Sequence, residues 1–410
     1  MKKIALRIGL VVVLGAVAAL AHYASRRGTP EAAGVERMAP AVGMPGAPST
    51  SADGLKQRIA EAERVLKERP DDVGASLLLS DALLRQARVM GDGRLANRAE
   101  NLLTSVLRTT PGHYDALRLL SAVHLSQHRF REALDIARRA RDMRPDDAWN
   151  YGVIGDASIE LGEYEDAFEA FDTMMTMRPN GAAYARIAYA RELKGHVRGA
   201  LEAMQMAVQS TTAHDPEAQA WYVAHVGELY LRMGNLDDAE REFARADYIF
   251  PNYPYARIGQ GKVLALRGDR AAALAVFSEQ FARMPSLDLA ARIGDLHAEG
   301  GNRAEAERYY QLGEDLAGPG LAQTEASLAL FLAERDRKVP EAVKIAEIVA
   351  RTRHDIFTED ALAWAYYKAG RLDEAAAASK RALRTGTRDE KMLARAAVIQ
   401  GAQPRASRSG

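Results

Sequence analysis

One stretch of the sequence, residues 148–179, reads AWNYGVIGDASIELGEYEDAFEAFDTMMTMRP and contains the pattern that decides the fold. A small residue, Gly155, and a turn glycine, Gly162, divide it into two segments with helical periodicity. Gly155 has no Cβ and lets two helices approach closely, and Gly162 suits the left-handed conformation that ends a helix. The same offsets return in residues 220–251. The stretch therefore predicts a helical hairpin.

The hairpin recurs at a nearly constant interval along the chain. Pro111, Pro145 and Pro179 are spaced 34 residues apart, and so are Pro251 and Pro285. Each proline is placed to end one helical unit before the next begins, because proline cannot continue a helix. Nine units begin near Val73, Tyr114, Ala148, Gly181, Ala220, Pro254, Leu287, Gln323 and Ile356.

This 34-residue helix–turn–helix unit resembles the tetratricopeptide repeat. The resemblance implies an all-α solenoid of about nine repeats over residues 73–387, following an N-terminal transmembrane or signal segment. Residues 54–72 are interpreted as a leading helix and residues 388–402 as a C-terminal cap helix, which solenoids need at their ends. Residues 403–410 are expected to be a disordered tail.

Residues 1–27 are predicted to be a signal anchor or a signal peptide. An apolar run over residues 8–21 follows Lys2, Lys3 and Arg7, which is the usual layout of an export segment. Counted on to Ser25, the run is long enough to cross a bilayer. Cleavage after Ala21 is the alternative, because Ala19-Leu20-Ala21 has the small-x-small pattern of a cleavage site.

The residues that follow, 28–53, are rich in Pro, Ala, Gly and Ser and are predicted to form a flexible tether. With a span at residues 8–25, we expect a single-pass protein of the inner (cytoplasmic) membrane with its body in the periplasm. A soluble periplasmic or secreted form is the alternative. The layout resembles the membrane-anchored bacterial type of tetratricopeptide protein, such as the lipopolysaccharide assembly protein B group. That group ends in a cysteine-bearing module, and this chain has no cysteine.

Composition and motifs argue against several classes of function. Lys+Arg and Asp+Glu balance at 55 each, so the chain has no net field that attracts nucleic acid. Without cysteine there is no disulfide, zinc ribbon or cysteine nucleophile. The common phosphate-binding, zinc-protease and serine-hydrolase motifs are missing from the sequence. His124 and His128 occupy a packing position and a turn position of a repeat. We therefore expect no enzyme activity, no cofactor, no metal and no nucleic-acid partner.

The resemblance also indicates where a partner would bind. In the tetratricopeptide family the first helices line a concave groove through their second, fifth, ninth, twelfth and thirteenth residues. Carried onto this sequence, the second position holds Trp149, Trp221, Tyr255 and Phe357. The candidate partner-binding groove consists of Trp149, Asp156, Tyr189, Trp221, Glu228, Tyr255, Lys262, Asp295, Phe331 and Trp364. Alternatively, the three tryptophans pack between neighbouring first helices as part of the core.

Aromatic residues beside acids would suit a protein or peptide with apolar anchors and some basic residues. The sequence therefore predicts a non-enzymatic, membrane-tethered interaction scaffold, acting in assembly or quality control of an envelope complex. Two alternatives stay open. One is a soluble periplasmic or secreted chaperone-like adaptor, and the other is the substrate-positioning subunit of an enzyme complex.

Overall fold

The computed structural model describes residues 51–324 and 326–403, and in this part of the chain every regular element is a helix. The twenty helices are α1 (Ala52–Glu68), α2 (Val73–Met90), α3 (Gly93–Thr109), α4 (Tyr114–Ser126), α5 (Phe130–Met143), α6 (Ala148–Leu161), α7 (Tyr164–Met177), α8 (Gly181–Leu193), α9 (Val197–Gln209), α10 (Pro216–Arg232), α11 (Leu236–Ile249), α12 (Pro254–Leu266), α13 (Arg270–Arg283), α14 (Leu287–Glu299), α15 (Arg303–Thr324), α16 (Ser327–Glu334), α17 (Val339–Val349), α18 (Ile356–Lys368), α19 (Leu372–Ala382) and α20 (Glu390–Ala402).

The helices from α2 to α19 form consecutive hairpins, each packed against the next. The helix α1 precedes them and α20 follows them, so the prediction of an all-α solenoid is confirmed. Most first helices begin at the residue expected from the repeat. The exceptions are α10, which begins at Pro216 rather than Ala220, and α16, which begins at Ser327 rather than Gln323. In α10, proline occupies the first helical turn, where its missing N–H has no cost.

The small residues of the repeat act as expected. A Cβ added to Gly155 would lie 2.3 Å from Cε1 of Phe171, so only glycine lets this aromatic ring pack against the first helix. Gly162 has a φ of 79° and ends α6 in the left-handed conformation. In the second unit His128 takes the same place with a φ of 61°. The helix α15 is interrupted by Gly318, whose φ of 50° and ψ of 177° are not helical.

The solenoid winds back until one turn of the superhelix touches the next. Arg353 donates through Nη2 to Oε2 of Glu160 at 2.7 Å, across 193 positions of sequence. The backbone N–H of Ile356 donates to the hydroxyl oxygen of Tyr164 at 2.8 Å, across 192 positions. This interval equals about five and a half repeats of 34 residues. Successive turns are therefore in direct contact rather than separated by an open groove.

Two further pairs of residues lie close together across the turn of the superhelix, and nearly the same number of positions in the sequence separates the members of each pair. A Cβ on Gly91 would lie 2.7 Å from the Cε of Met284, and one on Gly195 would lie 2.5 Å from the carbonyl oxygen of Gly386. Both glycines have positive φ and end the first helix of a repeat. The turn between the two helices of a repeat is therefore the part that meets the following turn of the superhelix.

A buried ion network ties the first repeat to the start of the fifth. Arg88 donates to both carboxylate oxygens of Glu217, at 2.9 and 2.7 Å. Arg85 reaches Asp215 at 3.1 Å, and it also lies near Asp81 on its own helix. Arg85 is only 1% exposed and Glu217 is fully buried. Charges removed from water to this degree are stable only as pairs, so the network fixes these two repeats together.

The prediction of a single-pass membrane protein is corrected by the structure. In residues 51–324 and 326–403, no helix combines the length and the apolar character needed to cross a bilayer. The segment on which the prediction was based, residues 8–25, lies outside the described residues, as do residues 28–50 of the predicted tether and residues 404–410 of the predicted tail.

Candidate functional site

The inner surface of the superhelix contains two neighbouring cavities, and we name the smaller one the aromatic cavity. It has a volume of about 180 Å³. Its lining consists of Tyr189, Glu192, Trp221, Ala224, His225, Glu228, Arg232, Tyr255, Ile258, Lys262 and Phe357. These residues lie on α8, α10, α12 and α18, which are all first helices of their repeats. The first helices therefore form the concave side, as the family resemblance implies.

One wall of the aromatic cavity belongs to the second turn of the superhelix. Phe357 lies on α18, directly after the backbone contact that Ile356 makes with Tyr164. In the same lining, Trp221 stacks on His225 with ring centroids 5.1 Å apart and an interplanar angle of 18°. The winding of the solenoid therefore completes the lining of the cavity with Phe357.

The charged groups in the aromatic cavity neutralise one another. Lys262 donates to Glu228 at 2.8 Å. Glu192 lies 3.3 Å from the Nε2 of His225 and 3.1 Å from Arg232. Burial disfavours the ionised Glu228, but the attraction of Lys262 outweighs burial, so the pKa of Glu228 is lowered. Two carboxylates and two permanent cations, Lys262 and Arg232, give the cavity no net charge.

The second cavity, which we name the charged cavity, has a volume of about 370 Å³ and also includes Arg232 and Phe357 in its lining. Helices α14, α16, α18 and α20 supply most of its walls. Arg292 pairs with Asp288 at 2.7 Å. Burial would raise the pKa of Asp288, but Arg292 outweighs it and the pKa is lowered. Arg395 pairs with Asp360 in the same cavity.

Acidic residues at the ninth position of the repeat form ion pairs with the following repeat. Asp156 accepts two hydrogen bonds from Arg186, at 3.0 and 2.6 Å, across 30 positions. Asp295 accepts two from Arg335, at 3.0 and 2.6 Å, across 40 positions. Such paired geometry is typical of strong Arg–carboxylate contacts. The inner-surface acids therefore join neighbouring first helices, a role that the sequence analysis missed.

The ten predicted groove residues divide into three groups. The aromatic cavity contains Tyr189, Trp221, Glu228, Tyr255 and Lys262. The charged cavity contains Asp295 and Phe331. Neither cavity contains Trp149, Asp156 or Trp364.

The three tryptophans have different surroundings although all were assigned to the groove. Trp149 is 5% exposed and lies in the core, with the guanidinium of Arg118 4.5 Å from its ring centroid. Trp364 stacks on Tyr367 with ring centroids 4.9 Å apart. Trp221 is 4% exposed, yet its buried ring borders the aromatic cavity. For Trp149 the packing role, which the sequence left as the alternative, describes its position.

Three polar or charged residues in the lining of the aromatic cavity were not singled out from the sequence. Glu192 and Arg232 stand at the twelfth and thirteenth positions of their repeats, so applying all of the family's groove positions would have found them. His225 stands at none of these positions, and no sequence signal marks it. In the part of the chain that the structure describes, no cluster of three or more His, Asp or Glu side chains is arranged to hold a metal.

Comparisons with known proteins identify the repeat. A tetratricopeptide repeat family model matches residues 90–148 and 227–283. Tetratricopeptide repeat protein 36 of Homo sapiens is 36% identical over 104 residues, covering 25% of this chain and 53% of that protein. The Mus musculus protein of the same name is 35% identical over 104 residues, covering 25% and 54%. The chain thus spans about half the length of the curated relatives it matches.

A solved structure shows the same architecture on a larger scale. The human IFIT1 dimer with PPP-AAAA superposes with a TM-score of 0.53 and 16% identity, covering 81% of this chain and 78% of that chain. At this identity the likeness shows the fold alone. Residues 90–148 and 227–283 match the tetratricopeptide repeat model, and they lie within an all-helical solenoid of the kind that the sequence predicted. The membrane-anchored bacterial type is not shown by these comparisons.

Proposed function

We propose that this protein is a non-enzymatic interaction scaffold that binds a peptide segment of a partner protein in the chamber formed by the aromatic and charged cavities. The observation that carries the proposal is that two neighbouring cavities, sharing Arg232 and Phe357, lie side by side on the concave surface. A segment that follows the first helices would place successive side chains in them.

The size and lining of the chamber support a peptide as the ligand. Cavities of about 180 and 370 Å³ are small enough to hold individual side chains but are too small to enclose a folded domain. Aromatic residues such as Tyr255 and Phe357 are half-buried on its walls. Partly buried aromatic residues in a concave surface are typical positions of strong binding contacts.

Two carboxylates of the chamber are held ionised by neighbouring cations. Burial would raise the pKa values of Glu228 and Asp288, but Lys262 and Arg292 outweigh it and both pKa values are lowered, so both are ionised acceptors at neutral pH. In the charged cavity, burial raises the pKa of Asp360 although Arg395 opposes it. All three carboxylates already have a cationic partner within the chain, which suits a binding surface.

Two parts of the sequence-based expectation are not carried into this proposal. Basic residues were expected in the partner, but Asp156, Glu228 and Asp295 already form ion pairs with the chain's own cations. A role in the envelope depended on a membrane span, and no helix in residues 51–324 and 326–403 is long and apolar enough to form one. A protein partner is favoured over RNA because the lining of the chamber contains nine Asp and Glu side chains against seven Arg and Lys, whereas phosphate binding needs an excess of cations.

The proposal is tested with displayed random peptides selected on the full-length chain and then titrated by calorimetry. Tyr255→Ala removes a wall of the aromatic cavity and is expected to weaken selected peptides by about tenfold. Tyr248→Ala is the matched control, because Tyr248 lies on the second helix α11 and is 88% exposed. Its affinity for the same peptides is expected to equal that of the unmodified chain.

Two results would contradict the proposal. One is the selection of no peptide, or of peptides whose affinity Tyr255→Ala leaves unchanged. The other concerns the oligonucleotide in the human IFIT1 structure, PPP-AAAA. If PPP-AAAA binds, and Tyr255→Ala weakens that binding while no peptide binds, then the chamber serves RNA instead.

A further inference from the structure

The geometry points to the aromatic cavity as the pocket for one aromatic side chain, that of tryptophan or tyrosine, in the partner peptide. This inference rests on the proposed function and specifies its anchor residue. Three observations carry it: the origin of the cavity walls, the size of the cavity and its charge balance.

The walls of the cavity come from two separate hydrophobic clusters. Trp221 and Tyr255 belong to the cluster built by α8 to α12. Tyr189 and Phe357 pack on a different cluster, which joins α6 to α8 with α18 to α20 across the turn of the superhelix. The cavity lies where these clusters meet without filling the space between them. Rings from both clusters therefore line the cavity.

The size of the gap matches one ring. An apolar cavity of about 150 Å³ holds a benzene molecule. The aromatic cavity has about 180 Å³, which leaves room for a ring with a polar atom attached. Aromatic rings pack best against other rings in stacked or edge-to-face geometry, and four aromatic rings, those of Tyr189, Trp221, Tyr255 and Phe357, line the cavity.

The charge balance decides between a neutral ring and a cation. Glu228 is paired with Lys262, and Glu192 with Arg232 and His225. An incoming arginine or lysine would add a charge to a partly buried site whose carboxylates are already neutralised, which is costly. A neutral aromatic side chain adds none. The same polar groups give the hydroxyl of tyrosine or the N–H of tryptophan a hydrogen-bonding partner, which these groups need when buried.

The test uses four small probes: the N-acetyl amides of tryptophan, tyrosine, leucine and arginine. Their binding to the full-length chain is measured by saturation-transfer NMR. The tryptophan and tyrosine probes are expected to bind about tenfold more tightly than the leucine and arginine probes. Phe357→Leu keeps the apolar volume but removes a ring, and it should reduce this preference several-fold. Tyr255→Leu tests the opposite wall in the same way, should Phe357→Leu disturb the contact between turns.

The outcomes separate this inference from the proposed function. If peptides bind but the leucine or arginine probe binds more tightly than the aromatic probes, the aromatic anchor is overturned and the scaffold role stays in place. If the preference for the tryptophan and tyrosine probes is unchanged in both Phe357→Leu and Tyr255→Leu, the aromatic probe binds elsewhere, and this inference is also overturned. A third outcome is that the tryptophan probe binds tightly, both variants lose this binding, and no peptide is selected. That result would support the pocket and contradict the scaffold role. Tyr248→Ala is the control throughout, and its probe affinities should be unchanged.

Discussion

The contacts between neighbouring repeats and the contacts between successive turns of the superhelix are encoded in different ways. Between neighbouring repeats, a closely fitted apolar contact accompanies the ion pairs of the inner surface. The fully buried ring of Phe243 fills the space that Gly227 and Gly259 leave open on two adjacent first helices. Between turns, an apolar cluster that joins α6–α8 to α18–α20 is accompanied by ion pairs and backbone contacts, such as the pair of Arg353 with Glu160.

The difference reflects how each contact is encoded. Neighbouring repeats meet in the same way every 34 residues, so one small set of positions serves the whole array. Turns meet only after the small rotations of several repeats have accumulated. Each contact between turns is therefore made once, as it is between Arg353 and Glu160. The first kind of contact builds the solenoid, and the second fixes its pitch.

The largest effect is expected from the apolar contact between repeats. Phe243→Ala removes a fully buried ring from between two helices and is expected to lower the free energy of unfolding by about 3–5 kcal/mol. Urea denaturation followed by circular dichroism measures the loss. Tyr248→Ala, on the same helix but 88% exposed, is the control and should leave stability unchanged. A loss below about 1 kcal/mol for Phe243→Ala would show that this contact does not support the array.

A somewhat smaller effect is expected from the buried ions that join the first repeat to the fifth. Glu217→Gln leaves Arg88 buried without its carboxylate and should cost about 3 kcal/mol in the same assay. The double variant Arg88→Met, Glu217→Met removes both charges and should recover most of the loss, because buried pairs add little net stability. Glu61→Gln breaks an exposed pair with Arg64 and should change nothing measurable. Equal losses in the single and double variants would contradict this account.

The smallest effect concerns pH and a histidine packed between repeats. Burial, aided by Arg129, lowers the pKa of His124 below its ordinary value of 6.5, against the opposing pull of Glu100 and Glu132. The folded state thus favours neutral His124, while the unfolded chain takes up a proton near pH 6.5. The stability that neutral His124 contributes is therefore complete above pH 6.5. It is lost as the pH falls from 6.5 towards the lower pKa of the folded state.

Thermal unfolding between pH 7.5 and 5.5, compared for the unmodified chain and His124→Gln, measures this contribution. The decline in melting temperature towards acid pH should be smaller in the variant. His214→Gln changes an exposed histidine and should keep the full decline. A decline of equal size in all three proteins would assign the pH dependence to other groups.

The hairpins could be predicted from the sequence because their determinants are local and repeated. Gly155 and Phe171 show why: their offset within one unit is enough to specify that two helices approach closely. The turn glycine of each unit is visible in the same way. The pitch of the superhelix could not be predicted, since it depends on the sum of small rotations that no single unit reveals. The contact of Ile356 with Tyr164 follows from that sum.

The candidate site was only partly predictable for the same reason. Trp149 and Trp221 have the same position in their repeats and nearly the same burial, yet of the two only Trp221 lines one of the two cavities described above. The lining that includes Trp221 also includes Phe357, which the winding of the solenoid brings to the same cavity. The family positions identify which residues face inwards, but the arrangement of the distant turn decides which of them remain accessible.

The contact between turns restricts how this gene can evolve. An open solenoid can gain or lose a unit by duplication or deletion, because each unit meets only its neighbours. Here Gly162 and His354 are in register only while the number of units between them is preserved. Duplicating one internal unit would offset every later contact by 34 residues and separate Glu160 from Arg353. We therefore expect the gain or loss of a unit to be tolerated only outside the segments that one turn sets against the next.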